Sequence, residues 1–237
     1  MYPSRKHTPV KKGGMREVEE QRTEIQQDPL PRGPFRSSKD IVLASASPRR
    51  QELLHRLGID FLVRASDAPE PDWTKTLDSP EDFVVSAARS KATDVLQHIP
   101  HGVVLAADTI IALEHEILGK AGSRDHALSM LRRLAGGTHT VLTGCCITEK
   151  NGNTETIAAS TYVSMPPMEE DMLRAYVDTG EYAGKAGAYA IQGVGSYLVR
   201  DIHGSYTNVV GLPLQEVLFC LLRMNAVRIH HQKEKGA

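Results

Sequence analysis

The run Ala44-Ser45-Ala46-Ser47-Pro48-Arg49-Arg50 places two hydroxyls and two guanidiniums in one turn of chain, directly after a short apolar stretch. Ser47 followed by Pro48 reads as a helix start. The first amides of a helix have no intrahelical acceptors and carry partial positive charge, so the turn suits a phosphate. The serines add donors, and the arginines add full charge in a forked geometry. A plain serine cap beside two solvated arginines accounts for the same residues equally well. The chain contains no G-x-x-x-x-G-K-[ST] loop, so this is not the phosphate cradle of that motif.

A carboxylate follows in Ala106-Ala107-Asp108-Thr109, after the apolar run 103–105. An aspartate at the end of a buried strand is placed to hold a metal or position a water, although a turn residue closing a strand has the same appearance. Asp67 and Glu70 lie in a proline-rich loop and could add carboxylate to a divalent cation. Singly, these two acids and the lysines Lys91 and Lys120 are more often solvated surface charges. The segment Lys185-Ala186-Gly187-Ala188-Tyr189-Ala190-Ile191-Gln192-Gly193 is built from small residues around one amide side chain. Small residues permit close backbone approach to a ligand, and Gln192 offers both donor and acceptor to the edge of a base. A tightly packed loop with a surface glutamine is the plainer alternative. No histidines fall at metal-ligand spacing.

Elements that could position these groups follow from patterning. The apolar run 41–45 predicts a buried strand, then a helix over 49–57 ended by Gly58. A strand is expected at 61–65, and a long helix from Ser79-Pro80 to about residue 97, with acids against the positive end of its dipole. A strand at 103–107 and a hairpin over 110–118 come next. Ser123 then opens a helix closed by Gly136-Gly137. Runs 140–148 and 155–164 flank Asn151-Gly152-Asn153 and give the strongest hairpin signal in the chain. A helix over 168–178, a strand over 196–202 and an apolar helix over 213–224 complete the body. Helices alternate with strands, but hairpins intervene, so the expectation is an α/β protein with a mixed sheet.

The 237 residues suffice for one well-buried domain or two small lobes around a cleft. Residues 1–39 are rich in charge, Gln and Pro and are expected to form a disordered extension. The folded domain is expected over 40–224 and a polar tail over 225–237. With 28 basic against 29 acidic side chains, no field for holding a nucleic-acid duplex is expected. Three cysteines, two of them adjacent, make no disulfide framework and fit a reducing compartment. No apolar run has the length of a membrane span, and no secretory signal is evident, so a cytoplasmic location without membrane association is the expectation.

Taken in order, A-S-x-S-P-R-R, D-T-I-I, G-K, G-x-x-H, K-A-G-A-Y-x-I-Q-G and N-V-V-G-L-P-L resemble the Maf (septum formation) family over residues 41 to 222. The resemblance implies an inosine triphosphate pyrophosphatase-like fold, with two lobes around a deep nucleotide cleft, often in a homodimer. It also implies cleavage between the α and β phosphates of a nucleoside triphosphate, assisted by Mg²⁺ or Mn²⁺. Asp108 matches the catalytic acid, the base that activates water. Ser45, Arg49, Arg50, Lys91 and Lys120 match positions that bind or neutralise the triphosphate, and Glu70 would join Asp108 as a metal ligand. Arg50, Thr109 and Gln192 match the branch that cleaves dTTP and UTP, with CTP or modified pyrimidine nucleotides as further candidates. The chain departs from the family pattern in reading Asp67-Ala68-Pro69-Glu70 where two adjacent carboxylates are usual, Ala121 where proline is usual, and Ala190 where glycine is usual. Two other functions stay open: the same reaction on 7-methyl-GTP or another modified nucleotide, and a regulator of cell division that binds nucleotide without turnover.

Overall fold

Ile41–Leu43 (β2) is buried at every residue because it runs through the middle of a sheet, flanked in parallel by Leu62–Val63 (β3) and Val103–Leu113 (β4). The computed structural model describes residues 33–69, 79–114 and 116–230. Glu70, given a metal-binding role on sequence, lies outside the described residues. Between β2 and β3 the chain forms helix Pro48–Arg56 (α1), and between β3 and β4 the helix Pro80–Gln97 (α2). Both crossovers join parallel strands, as a parallel pair requires.

Beyond β4 the sheet turns antiparallel. Glu116–Leu118 (β5) folds back on the far end of β4, and the long hairpin Thr138–Glu149 (β6) and Thr154–Ser164 (β7) extends the sheet to Asp201–His203 (β8). The order is β3-β2-β4-β6-β7-β8, with β5 paired to β4 off this path. The mixed α/β sheet expected from the sequence is therefore present. The expected strand at 103–107 and the first arm of the 110–118 hairpin are one continuous strand.

Helix Arg124–Leu134 (α3), helix Glu170–Asp178 (α4), the short helix Tyr206–Val210 (α5) and helix Leu214–Arg223 (α6) complete the layers. Two large apolar cores form at opposite ends of the long strands. One gathers Leu43, Leu54, Leu105, Ile147 and Leu221 beneath α1 and α6. The other gathers Ile111, Leu131, Val141, Val163, Tyr176 and Leu198 beneath α3 and α4. A third cluster packs Ala88, Ala92 and Val95 of α2 on the opposite face of the sheet.

Two expectations need correction. The strand expected at 196–202 is mainly a 3₁₀ helix, Gly193–Leu198, followed by β8. The carboxylate of Glu181 accepts the amides of Val194 and Gly195 at 3.1 and 2.8 Å, so those amides are turned to a side chain and not to a neighbouring strand. Regular structure also continues on both sides of the expected domain, 40–224, into the segments expected as a disordered extension and a polar tail. Phe35–Ser37 (β1) pairs antiparallel with Val227–Ile229 (β9), and Phe35 and Val227 pack onto the first core. Among the described residues no helix is long and apolar enough to cross a membrane, and Cys145, Cys146 and Cys220 are free thiols.

Candidate active site

β4 pairs with β2 only as far as Leu105 and then runs on, so residues 106–111 emerge beside the point where β2 has turned away into α1. This is the crevice beyond the carboxyl end of a parallel strand, where α/β sheets bind ligands. Alternation along β4 then divides two adjacent side chains between the faces. Ala106, Asp108 and Ile110 point toward α2, while Ala107 and Thr109 point toward α1 and the loop after α5.

Asp108 meets Lys91 through a chain of local causes. It sits opposite Gly144 in the β4–β6 register. Gly144 has no side chain to hold α2 away, and the main chain of Val84 lies where a Cβ would stand. Lys91 lies two turns further along that face of α2, on the same stripe as the buried Ala87, Ala88, Ala92 and Val95. Its ammonium forms an ion pair with Asp108 Oδ1, both side chains being about one-fifth exposed. The pairing keeps a partly desolvated carboxylate and ammonium each next to its counter-charge.

Thr109, on the other face, meets Arg50. The guanidinium donates from Nε to the carbonyl of Gly211 at 2.8 Å and from its terminal nitrogens to Ser45 Oγ at 2.9 Å, Ala107 O at 3.0 Å and Thr109 Oγ1 at 3.0 Å. An arginine has five N–H donors, so four are committed to the protein. Burial lowers the pKa of Arg50, opposed by the charge of nearby Asp108. Arg50 therefore ties α1, β2, β4 and the α5–α6 loop together and forms the floor of the crevice. Gly211 adopts φ +116°, which turns its carbonyl to Arg50 as it ends α5. Thr109 continues the network to Thr143 Oγ1 at 3.0 Å, and Thr143 donates to Asn208 O at 3.3 Å.

The start of α1 differs from those of its neighbours. Ser79 and Ser123 cap α2 and α3 through side-chain hydrogen bonds, and both helices carry acid in the first turn. Ser47 precedes α1 without a side-chain cap bond, and its first turn has no acid. No side chain caps or offsets the positive end of this helix, and Ser47 and Arg49 line the crevice beside it.

A cavity of about 420 Å³ lies here, and its walls include Ser45, Arg49, Arg50, Lys91, Asp108, Thr109 and Lys120. Gln192 lines a smaller adjoining cavity of about 60 Å³, together with Thr109, Tyr189 and Val141. Its side-chain amide has no hydrogen-bond partner within the described residues. The structure thus brings Ser45, Arg49, Arg50, Lys91, Asp108, Thr109, Lys120 and Gln192 to two adjoining cavities, whereas Asp67 is exposed and lines neither. Ser47, read on sequence as a donor, and Lys185, which was given no role, also contribute. Ser47 donates its amide to Ser45 Oγ at 3.3 Å, and Lys185 lines both cavities. The sequence signal for Lys185 was a long cationic side chain inside a run of small residues.

The Maf-like protein family model matches residues 40–224. This chain belongs to the Maf-like family. Among relatives, it is 48% identical over 195 residues to the dTTP/UTP pyrophosphatase of Nitratidesulfovibrio vulgaris, covering 82% of this chain and 92% of that one. It is 44% identical over 197 residues to the dTTP/UTP pyrophosphatase of Oleidesulfovibrio alaskensis, covering 82% and 90%. The dTTP/UTP pyrophosphatase of Acinetobacter baylyi is 41% identical over 185 residues, covering 78% and 99%. A solved nucleoside-triphosphatase / dITP/XTP pyrophosphatase from Mycobacterium abscessus superposes with a TM-score of 0.40 at 16% identity, over 78% of this chain and 93% of that one, a likeness too loose to bear on function. Both ends of the matched Maf-like segment lie inside the described structure, with β1 and β9 pairing just beyond them.

Proposed function

We propose that this Maf-like chain hydrolyses dTTP and UTP to the nucleoside monophosphate and pyrophosphate. The observation that carries the reading is a single carboxylate, Asp108, set among cations at the open start of a helix. The naming of its relatives as dTTP/UTP pyrophosphatases supports the choice of substrate.

A nucleoside triphosphate brings about four negative charges, so most of the task is electrostatic. The α1 amides, Ser45, Arg49, Lys91 and Lys120 bind the phosphate chain, while Arg50 holds the floor in shape. Asp108 accepts a proton from water as the water oxygen attacks the α-phosphorus in line. The bond from that phosphorus to the bridging oxygen breaks, and its electron pair leaves with pyrophosphate, whose charge the lysines and Arg49 offset. Gln192, at the far end of the cleft, reads the edge of the base.

Among the described residues no cluster of three or more His, Cys, Asp or Glu is present. Asp108 is, among the described residues, the one acid lining the main cavity. That donor set fits Mg²⁺ or Mn²⁺ carried in on the triphosphate, because such ions are held by one or two carboxylates plus phosphate oxygens and water. Asp108 would hold the ion, with Glu70 as a second ligand from the segment outside the described residues. Once bound, the cation neutralises phosphate charge and makes water more acidic. The cytoplasmic nucleotide pool is the proposed source of substrate. A homodimer is proposed on the family resemblance and is read by light scattering.

The test is pyrophosphate release from dTTP, UTP, CTP, 7-methyl-GTP, ITP and dATP, with Mg²⁺ and with EDTA. Metal-dependent release led by dTTP or UTP is expected, and Asp108→Asn should fold yet lose at least ~100-fold in kcat. Release led by 7-methyl-GTP would overturn the substrate. No release from a folded sample that binds nucleotide would favour the non-catalytic regulator.

A further inference from the structure

Arg49 and Lys185 both line the larger and the smaller cavity, and so stand where the two join. They reach the junction from different elements, Arg49 from the first turn of α1 and Lys185 from the turn that follows α4. The Arg49 guanidinium makes no hydrogen bond or ion pair within the described residues. The Lys185 ammonium donates to the main-chain carbonyl of Glu181 and, at 3.5 Å, to that of Ala183. These carbonyls hold it in place without neutralising it. The Glu181 carboxylate is engaged elsewhere, accepting the amides of Val194 and Gly195. Asp108, the acid at the cleft, is paired with Lys91. Burial lowers the pKa of Lys185 and the charge of Arg49 lowers it further, with the Glu181 carboxylate acting the other way. Two cations at one partly desolvated junction repel unless an anion lies between them.

The other lining residues fix which anion this is. Gln192 lines only the smaller cavity, and Lys91, Lys120, Ser45 and Ser47 line only the larger. A nucleotide lying with its base at Gln192 and its tail at Lys91 and Lys120 crosses the junction at its sugar and first phosphate. The first phosphate is the only charged group at that crossing.

We propose that Lys185, at the same junction as Arg49, grips the α-phosphate, the group attacked in the reaction and kept by the monophosphate product. The assignment rests on the nucleotide pyrophosphatase reading given above. It predicts a separation between the two products. Deoxythymidine monophosphate carries the α-phosphate, whereas pyrophosphate occupies only the larger cavity.

Calorimetric titration of the full chain with dTMP and with inorganic pyrophosphate, in Mg²⁺, tests this with Lys185→Met and Lys185→Arg. Lys185→Met should bind dTMP at least ~10-fold more weakly, as expected for loss of a charged hydrogen bond. Its pyrophosphate affinity should stay within ~2-fold of wild type, and Lys185→Arg should recover most of the dTMP affinity. Turnover of dTTP and UTP should fall by the same factor in Lys185→Met, leaving their ratio unchanged. Circular dichroism establishes that each variant is folded. Unchanged dTMP affinity in folded Lys185→Met, an equal loss of pyrophosphate affinity, or a wild type that binds no dTMP would each overturn the proposal. If wild type binds dTMP but releases no pyrophosphate from any triphosphate, the hydrolytic reading falls, while the comparison of dTMP affinities still decides the role of Lys185.

Discussion

His139 in β6 is 2% exposed, and its Nε2 lies 2.7 Å from the hydroxyl of Tyr189, which meets it edge-on. The other ring nitrogen, Nδ1, is buried with no hydrogen-bond partner. A charged imidazolium would need donors satisfied on both nitrogens, and burial accordingly lowers the pKa from 6.5 to about 4. Above pH ~6.5 the ring is neutral in both folded and unfolded chains and contributes nothing to pH dependence. Between pH ~6.5 and ~4 the unfolded chain takes up a proton that the folded chain refuses, so stability falls as the pH is lowered. The full shift amounts to about 3 kcal/mol, of which about 2 kcal/mol is lost by pH ~5. The perturbation is His139→Gln, which keeps an amide near the Tyr189 hydroxyl and removes the titration. Urea unfolding followed by circular dichroism, without nucleotide, should be run on both proteins at pH ~7.5 and pH ~5. Wild type should lose about 2 kcal/mol more than the variant on acidification, since other titrating groups are common to both. Equal losses in the two proteins would refute the argument that His139 is held neutral by burial.

Two more outcomes follow from the floor of the cleft. Gly144→Ala places a methyl against the main chain of Val84. It should cost about 1–3 kcal/mol by displacing α2, and should reduce turnover further by separating Lys91 from Asp108. Thermal unfolding and pyrophosphate release read the two effects, and a variant with unchanged melting and rate would show that α2 does not depend on this contact. Arg50→Lys keeps the charge but cannot reach Gly211, Ala107, Ser45 and Thr109 together. A loss of about 1–3 kcal/mol in denaturant unfolding is expected from buried acceptors left unpaired. A lysine variant as stable as wild type would show that the charge alone holds the floor.

Local signals made much of this structure legible. Ser79-Pro80 opened α2 and Asn151-Gly152 turned the β6–β7 hairpin where expected, because caps and turns are set by the few residues that form them. The cleft residues were found as types, but their partners were not. That Arg50 builds the floor depends on Gly211, 161 positions away, and no local pattern carries that pairing. The pairing of β1 with β9 joins segments almost 200 residues apart, and each, at three residues, was too short to announce a strand. The 3₁₀ helix was missed because what shapes it is the distant carboxylate of Glu181. Lys91 could have been read more sharply, since it stands on the apolar stripe of its own helix, where a lysine needs a partner.

β4, β6 and β7 run 11, 12 and 11 residues, roughly 35–40 Å each, without interruption from one apolar core to the other. The cleft is therefore a notch cut into a continuous beam, and the two cores have no hinge between them. Opening and closing around a nucleotide must fall to the rims, among the described residues the start of α1 and the turn that bears Lys185. A chain built this way keeps Asp108, Thr109 and their partners at fixed spacing whether the notch is empty or filled, so the work of selecting a nucleotide is done by what passes the rims and not by the floor rearranging beneath it.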